Sequence, residues 1–429
     1  MNFDTFGFHP RIAAGIAAAG YTSPTPIQNQ AIPSVMQGSD LMGLAQTGTG
    51  KTAAFVLPIL HKLLQGRQGG VRALIMAPTR ELAEQTHEAI QALGSQTNLK
   101  SVSIYGGVGM QRQVNLLKHA DIIVACPGRL LDHIRRQTVI LSRVEMLVLD
   151  EADQMFDMGF LPDIRKILSY LPKANRQTLM FSATMPSQIR RLAEEILNNQ
   201  VRVQVGNEAP ADTVSHAFYP VAQHLKTALL LELLGNTGTE AVLIFTRTKH
   251  RAKQLGEKLA KAGFRSASLQ GNLSQSRRLD AMNGFKSGKY QVLVATDIAA
   301  RGIDVSNVSH VINYDMPSTP ETYVHRIGRT GRATRHGEAF TLITGEDRQM
   351  VQAIHRAIGA NVEQRTLKGF NYQASTPAVN RQNMSQTAQP QPAARQRTYR
   401  AAPQAAGRKN TGRQNRGDAK GAFAWVSAK

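Results

Sequence analysis

The stretch Ala45-Gln46-Thr47-Gly48-Thr49-Gly50-Lys51-Thr52 fits the pattern G-x-x-x-x-G-K-[ST], with alanine in place of the first glycine. It follows the short apolar run 40–44 and opens into the helix-forming run 52–57. A strand, a glycine-rich turn and a helix in that order aim backbone N–H groups at one point, where the helix N-terminus also favours negative charge. Lys51 is placed to reach the β- and γ-phosphates of a nucleoside triphosphate, and the Thr52 hydroxyl to sit on Mg²⁺. Residues 45–52 as a whole are read as the lining of a triphosphate site.

Outward from this loop, short apolar runs alternate with helical patterns. Between residues 40 and 205 the runs are 73–77, 101–105, 121–125, 146–149 and 178–181. Continuous apolar strands separated by helices predict a parallel sheet covered on both faces, with ligands at the carboxyl ends of the strands. Asp150 and Glu151 follow the run 146–149. Asp150 is expected to hold Mg²⁺ through water and Glu151 to polarise an attacking water. Asp153 is expected to link neighbouring motifs, together with Ser182 and Thr184 after the next strand. Pro78-Thr79-Arg80, Gly106-Gly107 and Pro127-Gly128-Arg129 also follow strands. Glycines and helix N-termini let a phosphate backbone approach closely, and two arginines add charge, so these three are read as a groove for nucleic acid. Few aromatic residues accompany them, so sugar and phosphate contacts with little sequence preference are expected.

A second series of runs, at 241–245, 266–269, 292–295, 308–312 and 339–343, suggests a duplicated α/β fold without a second phosphate loop. It carries His325-Arg326-Ile327-Gly328-Arg329-Thr330-Gly331-Arg332, three arginines and a histidine in eight residues. Arginine forks stabilise charge on a transferring phosphoryl group. Arg329 and Arg332 are read as reaching into the first domain's site, with His325 as a coupling residue. Asp304 is read as a ribose contact and Thr296 as a nucleic-acid contact. The expected boundaries are a lead-in at 1–38, a first domain at 39–206, a linker at 207–217, a second domain at 218–368 and a disordered tail at 369–429. In the lead-in, Ile12, Ile16 and Ala19 predict a helix ended by Gly20, and Pro24 and Pro26 a loop.

Charge narrows the partner. The 51 Lys+Arg against 30 Asp+Glu leave a net +21, of which residues 370–429 supply nine. Such an excess favours a polyanion, nucleic acid first. In the tail, Arg408, Lys409, Arg413 and Arg416 read as phosphate contacts of a flexible tether, and Trp425 beside Phe423 as a docking point. No apolar run reaches the length of a membrane span, and the start lacks a signal-peptide pattern. The one cysteine, Cys126, excludes an internal disulfide, and no Cys/His spacing suggests zinc. A cytoplasmic setting is expected.

With these motifs in hand, residues 1–365 resemble the DEAD-box RNA helicases, especially the bacterial RhlE-like group. The resemblance implies two tandem RecA-like domains of the P-loop type that close on ATP, Mg²⁺ and RNA, and RNA-stimulated ATP hydrolysis coupled to local unwinding of short duplexes. A clamp or annealing factor with little unwinding is the alternative. Ribosomal precursors and RNA-decay machinery are both open as partners, and a monomer is the default. The resemblance also assigns residues 20–28 as a motif in which Gln28 reads the adenine edge, with Phe3 stacking near it. Arg247, Gln270, Gly271 and Arg277 become second-domain RNA contacts. Cys126 departs from the family, which usually has threonine before Pro-Gly-Arg.

Overall fold

The computed structural model describes residues 2–46, 48–66, 69–205, 214–236, 241–300, 308–330, 337–359 and 361–374. Thr47, Asp304, Arg332 and the tail residues named above lie outside them. Residues 1–375 form one compact unit that carries two sheets.

The first sheet holds β1 (Leu41–Ala45), β2 (Ala73–Met76), β3 (Ser101–Ile104), β4 (Ile122–Ala125), β5 (Met146–Leu149), β6 (Gln177–Ser182) and β7 (Val201–Val205). The second holds β8 (Val214–Pro220), β9 (Val242–Thr246), β10 (Ser266–Leu269), β11 (Val292–Thr296), β12 (His310–Asn313), β13 (Gly337–Ile343) and β14 (Glu363–Gln364). Their orders are β3-β4-β2-β5-β6-β1-β7 and β10-β11-β9-β12-β13-β8-β14. Counted from its own first strand, each is the same permutation, and every pairing is parallel. The duplicated fold expected from the rhythm of the runs is therefore present in the topology.

Alternation puts successive residues of each strand into different cores. In the first sheet Ile75, Val124 and Val148 enter one core, while Leu74, Ile123 and Leu147 enter the other. Leu243 and Leu293 of the second sheet face one side, and Val242, Ile244 and Val294 the opposite one. Burying each such side chain contributes about 1.5–3 kcal/mol, which is why these strands tolerate no polar face.

Because all strands run the same way, every strand-end motif falls on one edge of its sheet. Strand order then sorts the motifs. In the first sheet β1, β5 and β6 end in the triphosphate motifs, while β2, β3 and β4 end in the three motifs read as a nucleic-acid groove. In the second sheet β9, β10 and β11 are likewise contiguous and end at Arg247, Gln270 and Thr296.

Four expectations are corrected. Pro26 does not punctuate a loop but opens the helix Pro26–Met36 at its first position, where a missing N–H costs nothing. Residues 214–217, expected in the linker, belong to β8, which pairs with β13 along its whole length. The tail does not begin at 369. Phe370 and Tyr372 form an edge-to-face pair at 4.8 Å and pack on the second sheet's core, and the Ala374 carbonyl lies 2.9 Å from His224 Nε2. Finally, β7 and β14 are edge strands absent from the expected set.

The helix Pro10–Ala18, ended as expected at Gly20, which has φ +76, crosses the helix Arg80–Leu93 at Gly15. A Cβ on Gly15 would stand 2.0 Å from the Leu93 carbonyl oxygen, which is backbone and cannot swing away. Gly15→Ala is expected to destabilise the first domain by about 2–3 kcal/mol. A urea titration in which the midpoint does not fall would remove this contact from the account.

Candidate active site and nucleic-acid interface

The phosphate loop owes its shape to two glycines. Gly48 and Gly50 have φ of +87 and +93, a region that side chains with a Cβ avoid. Gly50 is also crowded, since a Cβ there would lie 2.6 Å from Gln28 Nε2 and 2.8 Å from Thr25 Oγ1. The Thr49 hydroxyl donates to the Gln46 carbonyl at 2.8 Å, and Lys51 Nζ donates to the Ala45 carbonyl at 2.7 Å. Lys51 thus opens the helix Lys51–Gln65 with its ammonium folded across the loop, and Thr52 follows it, half-buried.

Two residues assigned to the base are used differently. Gln28 is buried, accepts from the Thr25 N–H at 2.9 Å and donates to the Gly50 carbonyl at 3.0 Å. Both ends of its amide thus engage the turn before the helix and the phosphate loop. Phe3 is 4% exposed, edge-on to Phe6 and to Tyr21, so it packs the lead-in instead of offering a stacking face. The exposed ring of this group is Tyr21, which the sequence reading passed over.

At the end of β5, Glu151 has φ +51, a strained position for a residue with a side chain. It lets two carboxylates leave the strand end together, before the helix Ala152–Asp157 begins. Burial pushes the Asp150 carboxyl up to about 7, against the pull of Lys51. Its Oδ1 is buried without a hydrogen-bond partner. Among the described residues no group of three or more His, Cys, Asp or Glu could hold a metal alone. A buried carboxyl oxygen without a partner or a protein cage fits Mg²⁺, which takes one or two carboxylates and fills its shell with water and phosphate.

Asp153 gathers the coupling residues. Its Oδ2 accepts from Ala183 N at 3.1 Å, Thr184 N at 2.8 Å and Thr184 Oγ1 at 3.0 Å, and stands 3.6 Å from His325 Nε2 of the second domain. The Ser182 hydroxyl accepts from Asp153 N at 3.3 Å and donates to the Thr184 carbonyl at 2.7 Å. Arg329 is 5% exposed and lines a cavity of about 20 Å³ with Gln154, His325 and Arg326. The intervening Arg326 serves structure: it pairs with Asp297, donates to Asn313 and the Asp315 carbonyl, and lies 5.0 Å over the Phe245 ring. A larger space of about 280 Å³ separates the domains beside Ala45, Gln46, Thr184, His325 and Gly328.

On the groove half of the first edge, Arg80 lies on the glycine pair: a Cβ on Gly107, which has φ +86, would be 2.3 Å from its NH1. The NH2 of Arg129 lies 4.0 Å from where a Gly106 Cβ would stand. Two guanidinium groups therefore converge on the diglycine. Pro78, Thr79 and Pro127 are buried and Gly128 half-buried, and the Thr79 hydroxyl caps its helix by accepting from Leu82 N at 3.2 Å. What these residues can offer a phosphate is backbone, not side chain. Cys126, also buried, has its thiol pushed up to about 12 by burial, so it is no reactive thiolate.

In the second domain Arg247 and Gly271 are exposed and Thr296 is half-buried. Gln270 is buried, with its side-chain oxygen accepting from Asn272 N at 2.6 Å. Arg277 is exposed, whereas its neighbour Arg278 is buried and crosses to the first domain, donating to Glu81 at 2.7 Å from both Nε and NH2. The sequence reading named Arg277 and passed over Arg278.

Residues 25–192 match the family described as DEAD/DEAH box helicase, and residues 225–334 the helicase conserved C-terminal domain. The ATP-dependent RNA helicase CshA of Listeria monocytogenes is 46% identical over 343 residues, which are 80% of this chain and 66% of that relative. CshA of Geobacillus kaustophilus is 44% identical over 363 residues, 84% of this chain and 77% of the relative. Among solved structures, Dbp5 of S. cerevisiae bound to RNA and ADP BeF3 superposes with a TM-score of 0.77 at 33% identity, covering 85% of this chain and 95% of that solved chain. These relatives are named CshA and not RhlE, which leaves the subgroup apart from the family. By its motifs, its topology and its relatives, this chain belongs to the DEAD-box family of ATP-dependent RNA helicases.

Proposed function

We propose that the chain hydrolyses ATP when RNA is bound and uses the closed state of its two domains to separate short RNA duplexes locally. The phosphate loop, residues 45–52, holds the triphosphate, with Lys51 on its phosphates. Glu151 orients the attacking water. Arg329 and Arg332 supply positive charge from the second domain, and Asp304 takes the ribose. Thr52 and Asp150 would hold Mg²⁺, Asp150 through water. When bound, that ion offsets phosphate charge. The Arg80, Gly106-Gly107 and Arg129 cluster and the second-domain edge at Arg247, Gly271 and Thr296 track the RNA backbone, so sequence preference is low.

The observation that carries this reading is the meeting of Asp153 and His325 with Arg329 beside Gln154, which sets the arginine helix of one domain against the carboxylate turn of the other. The buried Arg278–Glu81 pair supports it from the groove side. Assignment to the RhlE-like group rests on the motif spelling, and a cytoplasmic role in ribosome assembly or RNA decay on the family resemblance. Among the described residues no helix is long and apolar enough to cross a membrane.

The direct test is RNA-stimulated ATPase activity together with strand displacement on a short duplex. ATPase without displacement would favour a clamp. Glu151→Gln should retain ATP binding and lower turnover by about 10²–10⁴-fold. A rate near that of the unaltered protein would remove Glu151 from its role.

Arg278→Ala leaves Glu81 buried and unpaired only when the domains are closed. A stranded buried charge costs about 3–5 kcal/mol, so closure and RNA-stimulated turnover should fall steeply. The double variant with Glu81→Ala should lose less than the two single losses combined. Additive losses in a double-mutant cycle would show that the pair does not act across the closed cleft.

A further inference from the structure

Gln113 and His133 are buried, at 3% and 0% exposure, behind the groove half of the first edge. Gln113 lies on the helix Met110–Leu117 and His133 on the helix Pro127–Arg135, so their meeting is not local. Gln113 Nε2 donates to the Tyr105 carbonyl at 2.9 Å. Its Oε1 accepts from Arg129 NH1 at 3.0 Å and stands 3.0 Å from His133 Nε2. The same Arg129 NH1 donates to the Val108 carbonyl at 2.9 Å.

The amide orientation follows from its partners. Arg129 can only donate, and the Tyr105 carbonyl can only accept, so oxygen must face the guanidinium and nitrogen the carbonyl. An accepting oxygen then requires the imidazole to carry its hydrogen on Nε2, leaving Nδ1 2.8 Å from the Thr138 hydroxyl. Burial, with Arg129 close by, lowers the His133 pKa and keeps the ring neutral. The segment Tyr105-Gly106-Gly107-Val108 is thereby pinned at both ends: at Tyr105 by Gln113 directly, and at Val108 by the arginine that Gln113 holds.

We infer that Gln113, with its oxygen fixed by His133, is a positioning residue for RNA binding that sets the diglycine turn and the Arg129 guanidinium in one register against the same stretch of phosphates. This rests on the reading of Arg129 and Gly106-Gly107 as RNA contacts. Gln113 carries no charge and touches no phosphate, yet its loss should look like the loss of a charge. Freed from the amide, Arg129 pairs with Asp132, whose Oδ2 is already 3.8 Å from its Nε.

The test is the salt dependence of single-stranded RNA binding by the full chain, for the unaltered protein, Arg129→Ala, Gln113→Met and the double variant. One lost phosphate contact lowers the slope of log K against log salt by about 0.7. Arg129→Ala should show that loss, with an affinity drop of about tenfold at low salt. Gln113→Met, close in volume and neutral, should show the same loss of slope, and the double variant no further loss. If Arg129→Ala lowers the slope and Gln113→Met does not, the positioning role is refuted while the RNA contact stands. A normal slope in Arg129→Ala refutes the RNA contact and the positioning role together. Thermal melting establishes that each variant is folded, and should Gln113→Met fail to fold, His133→Leu carries the same measurement with the same two outcomes.

Discussion

One carboxylate oxygen, Asp153 Oδ2, holds the two halves of this molecule in conversation. It takes three donors from the turn after β6 and lies within reach of His325 of the second domain. An anionic acceptor buried among so many donors cannot move alone. If the turn at Ser182–Thr184 shifts with the phosphates, Asp153 must shift with it, and His325 loses or gains its partner. The turn that carries the carboxylates and the helix Pro320–Ile327, which Arg329 follows, meet at that group. This gives the coupling a physical carrier, two domains sharing one acceptor, in place of a path drawn through intervening residues.

Around this node the fold acts as a sorting device. Parallel strands bring every motif to one edge, and the strand order divides that edge into a half with the motifs read as a triphosphate site and a half with those read as a groove. The second sheet repeats the order, so its own groove half, β9 to β11, is contiguous as well. The groove side is closed by Arg278 and Glu81, a pair that is worth having only when both charges are desolvated together. Left-handed backbone recurs at the strand ends that carry motifs: at Glu151, at the phosphate-loop glycines 48 and 50, and at Gly107 of the diglycine turn.

Much of this was legible in the chain because strand-end motifs announce themselves twice, by their residues and by the apolar run before them. Lys51, Asp150, Asp153 and the three groove motifs could all be placed that way. What stayed hidden depends on rotation and on distant neighbours. Arg277 and Arg278 differ by one position, a turn of about 100° on a helix, and the apolar residues of the helix Gln275–Lys286 gather on no single face that would say which arginine points across. Phe3 and Gln28 also have partners that the spelling does not show: one packs a helical lead-in and the other ties down Gly50. Gln113 and His133 carry no motif at all, and only their convergence on Arg129 gives them meaning. The edge strands β7, Val-Arg-Val-Gln-Val, and β14, Glu-Gln, escaped because neither carries the unbroken apolar run that marks a central strand.

The matching strand orders also expose a difference. Where β1 runs into glycines at 48 and 50, the corresponding β8 runs into Pro220 and has no glycine before Gly235. That strand end cannot curl its amides around a phosphate as the first one does. The molecule therefore has one trigger for two jaws.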